Sequence, residues 1–418
     1  MKSLKYSLTL ALSCCVAALV LASCGGGGTA TTVDAGLVIS TSTDASTAVL
    51  AGTDTGLWDG AGGGGGSDGG GGAGDGEFLQ FNFKPTSATT AIFSWTVLNS
   101  QYGIKGQTGS MSLTADSFGG YKVAGGPILQ QGNIYVSKTG QVTGSVPLQI
   151  GATTVYMIFN GTRYKDTVAD LTQVAGDYFY GASFRRASDG LDPSTEYGTL
   201  RIRADGTARI CSVSAYSDTC ASGFDLKVAV DNPSDPKVLK FTTSDYRNLL
   251  GYAVGKKNSS GKMTSSMDIS YSNQSGQRYT GSVYSMQMSG SYNPNAYPGS
   301  WAGVGTDPSS GVRNASTGFL RINSGGTSFN QHDTSGGTNC TVISNPSRND
   351  QGSMGNASTF PGIGFAQSSP PNTGFSYIIP MSDNFLVAIS ATSTGGLALI
   401  RRYKTLSAPG NTLGPDCP

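Results

Sequence analysis

Three acidic side chains, Asp189, Asp192 and Glu196, stand close together in a stretch rich in turn-forming residues. Calcium prefers carboxylate and carbonyl oxygens, so these acids could supply part of a cation site. The corresponding stretch further along the chain, residues 307–314, keeps only one acid. We therefore expect either a metal site made by these three residues or a solvated loop.

The sole histidine of the chain, His332, lies in the segment Gln331-His332-Asp333-Thr334-Ser335. A serine nucleophile needs a base that reaches it from elsewhere in the fold, and no second histidine exists to serve as one. We predict that His332 is a solvated turn residue and name no catalytic residue. Paired carboxylates from distant strands would still allow a hydrolase, because sequence does not reveal such pairs.

Tyrosines recur among Ser, Asn and Gly residues, a combination that is typical of adaptable recognition surfaces. Tyrosine also favours strands, where it packs across neighbouring chains. Residues 270–301, together with the hairpin loops, are the predicted contact surface. Its candidate binding residues are Tyr279, Tyr284, Tyr292, Tyr297 and Trp301.

The first residues have the pattern of a signal peptide. Lys2 and Lys5 precede an apolar run of about 14 residues, which is too short to span a bilayer. The sequence Leu21-Ala22-Ser23-Cys24 then resembles the lipobox of bacterial lipoproteins. That resemblance implies removal of residues 1–23 and attachment of diacylglycerol and a further acyl chain, such as palmitate, to Cys24.

Glycine, not aspartate, follows Cys24. In such lipoproteins an aspartate at that position often marks retention in the inner membrane, so the resemblance implies the outer membrane. The membrane would be reached through lipid alone, and several acyl chains bind a bilayer durably. The sequence does not decide which leaflet of the outer membrane would hold the anchor.

Four of the seven cysteines remain once Cys14, Cys15 and Cys24 are set aside. In an oxidising compartment they allow two disulfides in three connectivities. We predict the pairs Cys211–Cys220 and Cys340–Cys417. A zinc site is disfavoured, because the chain has no Cys-x-x-Cys pair and one histidine.

The charge balance argues against a nucleic-acid partner. Cleavage would remove Lys2 and Lys5 from 27 basic residues and leave 26 acidic ones untouched, a mature charge of about −1. Binding to phosphates needs an excess of Lys and Arg. No cofactor is predicted either.

Residues 24–76 predict a disordered, glycine-rich tether behind the lipidated cysteine. Their two glycine runs and Thr, Ser and Ala-rich middle cannot bury a core. A flexible coil of this length has a span of roughly 40 Å.

Beyond the tether, short apolar and polar alternations separated by Gly, Asn and Asp predict an all-β body. The segment Gly198-Thr199-Leu200-Arg201-Ile202 recurs as Gly318-Phe319-Leu320-Arg321-Ile322, and Gly109–Asp116 is a fainter copy. Such repetition indicates two or three related antiparallel modules. Their expected ranges are 78–168, 174–290 and 298–418, the last with a C-terminal tail.

Two modules begin with glycine, one residue and an aromatic ring, in Gly176-Asp177-Tyr178 and Gly299-Ser300-Trp301, and two segments close on Arg163 or Arg402. This pattern resembles lipocalin-like and avidin-like proteins, which implies closed barrels. The alternation itself also allows sandwiches.

The sequence therefore predicts an outer-membrane lipoprotein whose β-modules bind a partner without catalysis, by ligand capture or adhesion. The partner would be an unidentified glycan, small ligand or protein. Two alternatives remain. One is a structural subunit of an envelope assembly, and the other is a lipid-anchored extracytoplasmic hydrolase.

Overall fold

The structure is a computed structural model. It describes residues 67–72, 77–115, 120–123, 134–137, 141–187, 194–221, 223–244, 248–273, 275–293, 296–297, 299–306, 315–322, 328–333, 350–368, 375–383, 385–390 and 397–403. The predicted leader, the lipidation site Cys24 and the second disulfide, Cys340–Cys417, lie outside these residues.

The described residues form three closed barrels, each of eight antiparallel strands. In barrel 1 the strands are β1 (Ser67–Gly72), β2 (Phe78–Pro85), β3 (Thr90–Asn99), β4 (Thr108–Ala115), β5 (Gly120–Val123), β6 (Ile134–Ser137), β7 (Gln141–Ile150) and β8 (Thr153–Arg163). Barrel 2 contains β9 (Gly176–Arg186), β10 (Ser194–Ile202), β11 (Thr207–Ser212), β12 (Gly223–Val230), β13 (Leu239–Thr243), β14 (Leu249–Lys257), β15 (Met263–Ser272) and β16 (Arg278–Gln287).

Barrel 3 contains β17 (Gly299–Thr306), β18 (Ala315–Ile322), β19 (Ser328–Asp333), β20 (Asp350–Asn356), β21 (Gly364–Ser368), β22 (Phe375–Ser382), β23 (Phe385–Ser390) and β24 (Leu397–Tyr403). The described helices are a 3-10 turn, Tyr164–Asp166, and a short helix α1, Leu171–Val174. No helix in this part of the chain is long and apolar enough to cross a membrane.

The all-β prediction is confirmed, and the modules are barrels, not sandwiches. In each barrel every strand pairs with the next along the chain, and the last pairs back to the first, as β8 does with β1. Closure leaves no strand edge with unpaired backbone groups. Apolar alternation does not distinguish the two architectures, because both have one buried face.

The predicted tether ends too late, because β1 lies inside it. Ser67–Gly72 pairs with β2 on one side and with β8 on the other. Four of its six residues are glycines, so the strand carries no apolar alternation for sequence reasoning to detect. Backbone hydrogen bonds to two neighbours hold the segment in the sheet where glycine propensity alone would not.

The strong repeat occupies equivalent strands, since Gly198 lies in β10 and Gly318 in β18, each second in its barrel. The fainter copy at Gly109 lies in β4, the fourth strand of barrel 1, so it is not an equivalent position. In two copies the glycine leaves room for an aromatic ring. A Cβ on Gly109 would lie 2.3 Å from Cζ2 of Trp95, and one on Gly198 would lie 3.1 Å from Cε1 of Tyr180. Cross-strand rings that cover glycines help to fix strand register.

The hairpin turn after β10 contains Asp205-Gly206, a dipeptide common in type I′ turns, but it is not of that type. Gly206 has a φ of +80°, but Val213 is the one non-glycine residue with positive φ among those described. The Gly206 N–H donates to the Arg203 carbonyl at 2.9 Å. This is a type I turn followed by a left-handed glycine, which also suits a hairpin. Asp205 Oδ1 accepts the Thr207 N–H at 2.8 Å and so fixes the turn.

Linkers close one end of barrels 2 and 3. Before β9, Ala169 and Val174 join the apolar core of barrel 2, and the Tyr178 hydroxyl donates to the Val174 carbonyl at 2.5 Å. Before β17, Tyr292 and Tyr297 stack at 5.5 Å and join the core of barrel 3. The start of each first strand is therefore the covered end.

The two junctions between barrels differ in chemistry. At the interface between barrels 1 and 2, which we call the polar interface, Asn160 Nδ2 donates to Ser266 Oγ with both side chains buried, and one ring pair, Phe78 and Tyr252, lies 5.5 Å apart. At the aromatic interface between barrels 2 and 3, outward-facing Phe179 lies 4.7 Å from the ring of Phe360. One apolar cluster covers this second junction. Its buried members are Phe179, Tyr284, Met286, Phe360, Ile363, Ile379, Met381, Phe385, Val387 and Ile389.

Candidate functional site

The candidate site is the end of barrel 2 opposite α1, which we call the mouth. The ends of β9, β11 and β15 and the starts of β10, β12 and β16 meet there. Register with core residues shows which side chains face the lumen, because opposite partners on paired strands point to the same face. The lumen-facing polar and aromatic side chains of the mouth are Tyr180, Glu196, Ser212, Phe224, Tyr271 and Tyr279.

Glu196 is the carboxylate of the mouth. It lies on β10 opposite the buried Ala182 and is itself half-buried. The hydroxyls of Tyr180 and Ser212 both donate to its Oε1. Burial, followed by the negative charge of Glu196, raises the pKa of Tyr180 well above its ordinary value. Tyr180 therefore stays a neutral hydrogen-bond donor throughout the physiological pH range.

Aromatic rings lie at the same end of the barrel as this carboxylate. Tyr271 stacks on Tyr279 with their centroids 5.6 Å apart, and Phe184 meets the Tyr271 ring edge-on at 5.2 Å. On the other side of the mouth, Phe224 lies opposite Ile210 and is 45% exposed. Below these rings the lumen is filled by the apolar core of barrel 2. The mouth thus combines an apolar floor with hydroxyl and carboxylate groups, which is the usual composition of a small-molecule site.

A disulfide anchors the loop between β11 and β12 beside the mouth. Cys211 and Cys220 are bonded, as the sequence predicted. The same loop is fixed on its outer side, where the Arg201 guanidinium lies 3.8 Å from the centroid of Tyr216 and Arg203 donates to Asp218 at 2.9 Å. Val213, which opens the loop, has a φ of +55° that β-branched residues rarely adopt.

Replacing both Cys211 and Cys220 with alanine should lower the free energy of unfolding by about 2 to 3 kcal/mol. The bond spans 9 residues, and loop-closure entropy gives this magnitude for so short a ring. Urea unfolding of the double variant and of the reduced wild-type chain would measure the loss. Equal stability of the oxidised and reduced wild type would show that the loop is held by its polar contacts alone.

Most of the predicted contact residues are buried and so do not form an exposed surface. Tyr284 and Trp301 are 1% and 0% exposed, and Tyr292 and Tyr297 are 3% and 9% exposed. Tyr284 packs at the aromatic interface and the other three in the core of barrel 3. Core packing explains these four, since Tyr284 and Trp301 lie in strands and Tyr292 and Tyr297 lie in the linker before β17. Tyr279 is the one of the five that lies at the mouth.

The predicted cation site is only partly within the described residues. Asp189 and Asp192 lie outside them, and Glu196 is in strand β10, not in a loop. No group of three His, Cys, Asp or Glu side chains in the described ranges could hold a metal ion. His332 also lies in a strand, β19, in register with Phe319, so its assignment to a turn was wrong.

Tyr180, Ser212 and Phe224 were missed as site residues, and Tyr271 was included only through the predicted range 270–301. Alternation places each on the lumen side of its own strand, but only the register between strands brings them to the same end of one barrel. Hydrogen-bond pairing of distant strands sets that register. A hairpin-by-hairpin count from the turns could have found Ser212 and Phe224, which are joined by a single loop.

The sequence matches no protein-family model. No curated protein matches it either. The fold and the geometry of the mouth therefore carry the functional argument.

Proposed function

We propose that this chain is an outer-membrane lipoprotein, anchored through Cys24, that captures a small ligand at the mouth of barrel 2 without transforming it. The supporting observation is the distribution of exposed apolar residues. Among the described residues, four large hydrophobic side chains are well exposed: Ile92, Val213, Phe224 and Leu249. The last three all lie at the mouth end of barrel 2. Clustered exposed apolar groups mark binding sites, whereas isolated ones do not.

The barrel architecture supports capture over the two alternatives. An eight-stranded barrel can hold one small ligand at its end, as lipocalins do. A scaffold subunit would expose apolar patches on its outer faces, but the extensive outer apolar cluster of the described residues is already covered between barrels 2 and 3. A hydrolase would need convergent catalytic groups. At the mouth, the described residues contribute one carboxylate, Glu196, whose neighbours are neutral hydroxyls.

Binding of the neutral fluorescent probe N-phenyl-1-naphthylamine tests capture at the mouth. We expect saturable binding to the wild-type chain and at least a fivefold weaker affinity in Phe224→Ala, because the exposed ring would no longer contact the probe. Ile92→Ala is the matched control, since Ile92 is 40% exposed on barrel 1. Equal loss in both variants, or no saturable binding, would contradict capture at this site.

Protease shaving of intact cells tests on which side of the outer membrane the barrels lie. Loss of the body with a periplasmic control intact would place it on the cell surface, and survival until the outer membrane is broken would place it in the periplasm. Replacing Cys24 with serine should abolish labelling of the chain by a radioactive fatty acid in either case, because the thiol that accepts the lipid is gone. Undiminished labelling of the serine variant would refute Cys24 as the lipid anchor.

A further inference from the structure

Glu196 accepts the hydrogen bonds of the mouth through one of its two carboxylate oxygens. Both hydroxyl donors, from Tyr180 and Ser212, reach Oε1. Within the described residues Oε2 receives no hydrogen bond, and Glu196 is in no ion pair. Oε2 is not buried, so a cation that arrives from outside can reach it. A carboxylate without a positive partner attracts such a cation.

The surroundings of Glu196 suit a cation that carries an organic group. Tyr271, Tyr279 and Phe184 present a connected set of rings, and Phe224 adds an exposed one. Ring faces attract ammonium groups that approach within about 6 Å of their centroids, and the attraction grows when water is excluded. Carboxylate and rings together favour an amine or a quaternary ammonium over a bare metal ion, which needs several oxygen ligands.

A positive side chain on the same face lies further out. Arg186 faces the lumen side from β9, in register with Tyr279, and is already engaged. Glu196 is opposite Ala182, which is four residues deeper on the same strand, or about 13 Å along that strand. The negative charge therefore lies deeper in the mouth than the positive one.

We propose that the ligand held at the mouth of barrel 2 is an organic cation, an amine or quaternary ammonium with an apolar tail, whose charge pairs with Glu196 Oε2. The tail lies against Phe224 and the apolar floor. This inference rests on the proposed capture function and specifies its ligand class.

Displacement of N-phenyl-1-naphthylamine by three compounds with one tail separates charge from apolar burial. The compounds are hexylamine, hexanol and hexanoate, which are positive, neutral and negative at pH 7. The wild-type chain should bind hexylamine about tenfold more tightly than hexanol, and hexanoate most weakly. Glu196→Gln keeps an oxygen to accept the two hydroxyls but loses the charge, so it should bind hexylamine and hexanol equally, with hexanol unchanged within twofold.

Asp225→Asn is the matched control. Asp225 faces outward on β12 and pairs with Arg209 at 2.9 Å. We expect it to keep the preference for hexylamine. Equal affinities of hexylamine and hexanol for the wild type, or a preference that survives in Glu196→Gln, would overturn the cation assignment while leaving capture intact.

Two further outcomes are distinguishable from these. Failure of the probe or of all three compounds to bind would overturn the capture function and the cation assignment together. Displacement of hexylamine by calcium chloride at constant ionic strength, lost in Glu196→Gln, would instead assign a metal site and overturn the organic cation.

Discussion

Replacing Phe179 with alanine is expected to lower the free energy of unfolding by about 3 to 5 kcal/mol and to separate the unfolding of barrels 2 and 3. Phe179 is 0% exposed although it points out of barrel 2. Its ring lies 4.7 Å from Phe360 and 5.2 Å from Tyr377. Loss of a fully buried ring removes its transfer free energy and leaves a cavity. Here the cavity would open between two barrels.

Hydrogen exchange followed by mass spectrometry in a urea series would detect this separation, because peptides report each barrel individually. In the wild type, barrels 2 and 3 should share one protection midpoint. The matched control is Phe184→Ala, five residues along the same strand, whose ring faces the lumen and is 5% exposed. It should weaken barrel 2 while keeping the two midpoints together. A shared midpoint in Phe179→Ala would show that the aromatic interface does not couple the barrels.

Replacing Lys256 with methionine is expected to stabilise the chain at pH 7 by up to about 3 kcal/mol. Lys256 lies on β14 and is 6% exposed. Burial lowers its pKa from 10.5 to about 8, with Asp166 opposing the change and Arg163 adding to it. A tenfold change in the proton affinity of the amine between the unfolded and folded chain corresponds to about 1.4 kcal/mol of stability. Methionine fills a similar volume without a charge to desolvate.

The lowered pKa of Lys256 fixes the direction in which stability changes with pH. The folded chain releases the Lys256 proton near pH 8, whereas the unfolded chain keeps it until pH 10.5. Between these values the unfolded state binds more protons, so wild-type stability gains a contribution as pH rises and loses it as pH falls through 8. Urea unfolding at pH 7 and pH 10 should show this gain in the wild type and its absence in Lys256→Met.

Lys257→Met is the control for this effect, because Lys257 is the next residue and is exposed. It should change stability by less than about 0.5 kcal/mol and keep the wild-type pH profile. Loss of stability in Lys256→Met at pH 7 would contradict the argument. It would mean that contacts in the folded chain stabilise the Lys256 ammonium by more than its burial destabilises it.

Local sequence pattern predicted the class of fold and part of the site. Alternation identified strands such as Phe78–Pro85, and the oxidising compartment implied by the lipobox pointed to Cys211–Cys220. Both depend on neighbours within a few residues. β1 could not be found, because its place depends on β8, about ninety residues later. Contacts at that separation follow from barrel closure, which the pattern of single strands does not encode.

The same limit explains the tyrosines. Tyr279 and Tyr284 stand five residues apart on one strand and so point to opposite faces. One reaches the mouth and the other the aromatic interface. Composition suggested a single recognition surface, but the pleat divides these residues between two tasks. Whether the outer face of this strand meets solvent depends on the neighbouring barrel. The local sequence does not indicate that this barrel packs there.

The contrast between the two interfaces has a mechanical consequence. The chain enters the body at β1, so a pull on its N-terminal side loads barrel 1 first and reaches barrel 2 through the polar interface. Hydrogen bonds there can be exchanged for bonds to water as the surfaces part, and the ring of Phe78 becomes exposed, whereas parting the aromatic interface must expose a whole cluster of buried apolar side chains. Under tension barrels 1 and 2 should separate first, at the polar interface, and barrels 2 and 3 should stay together.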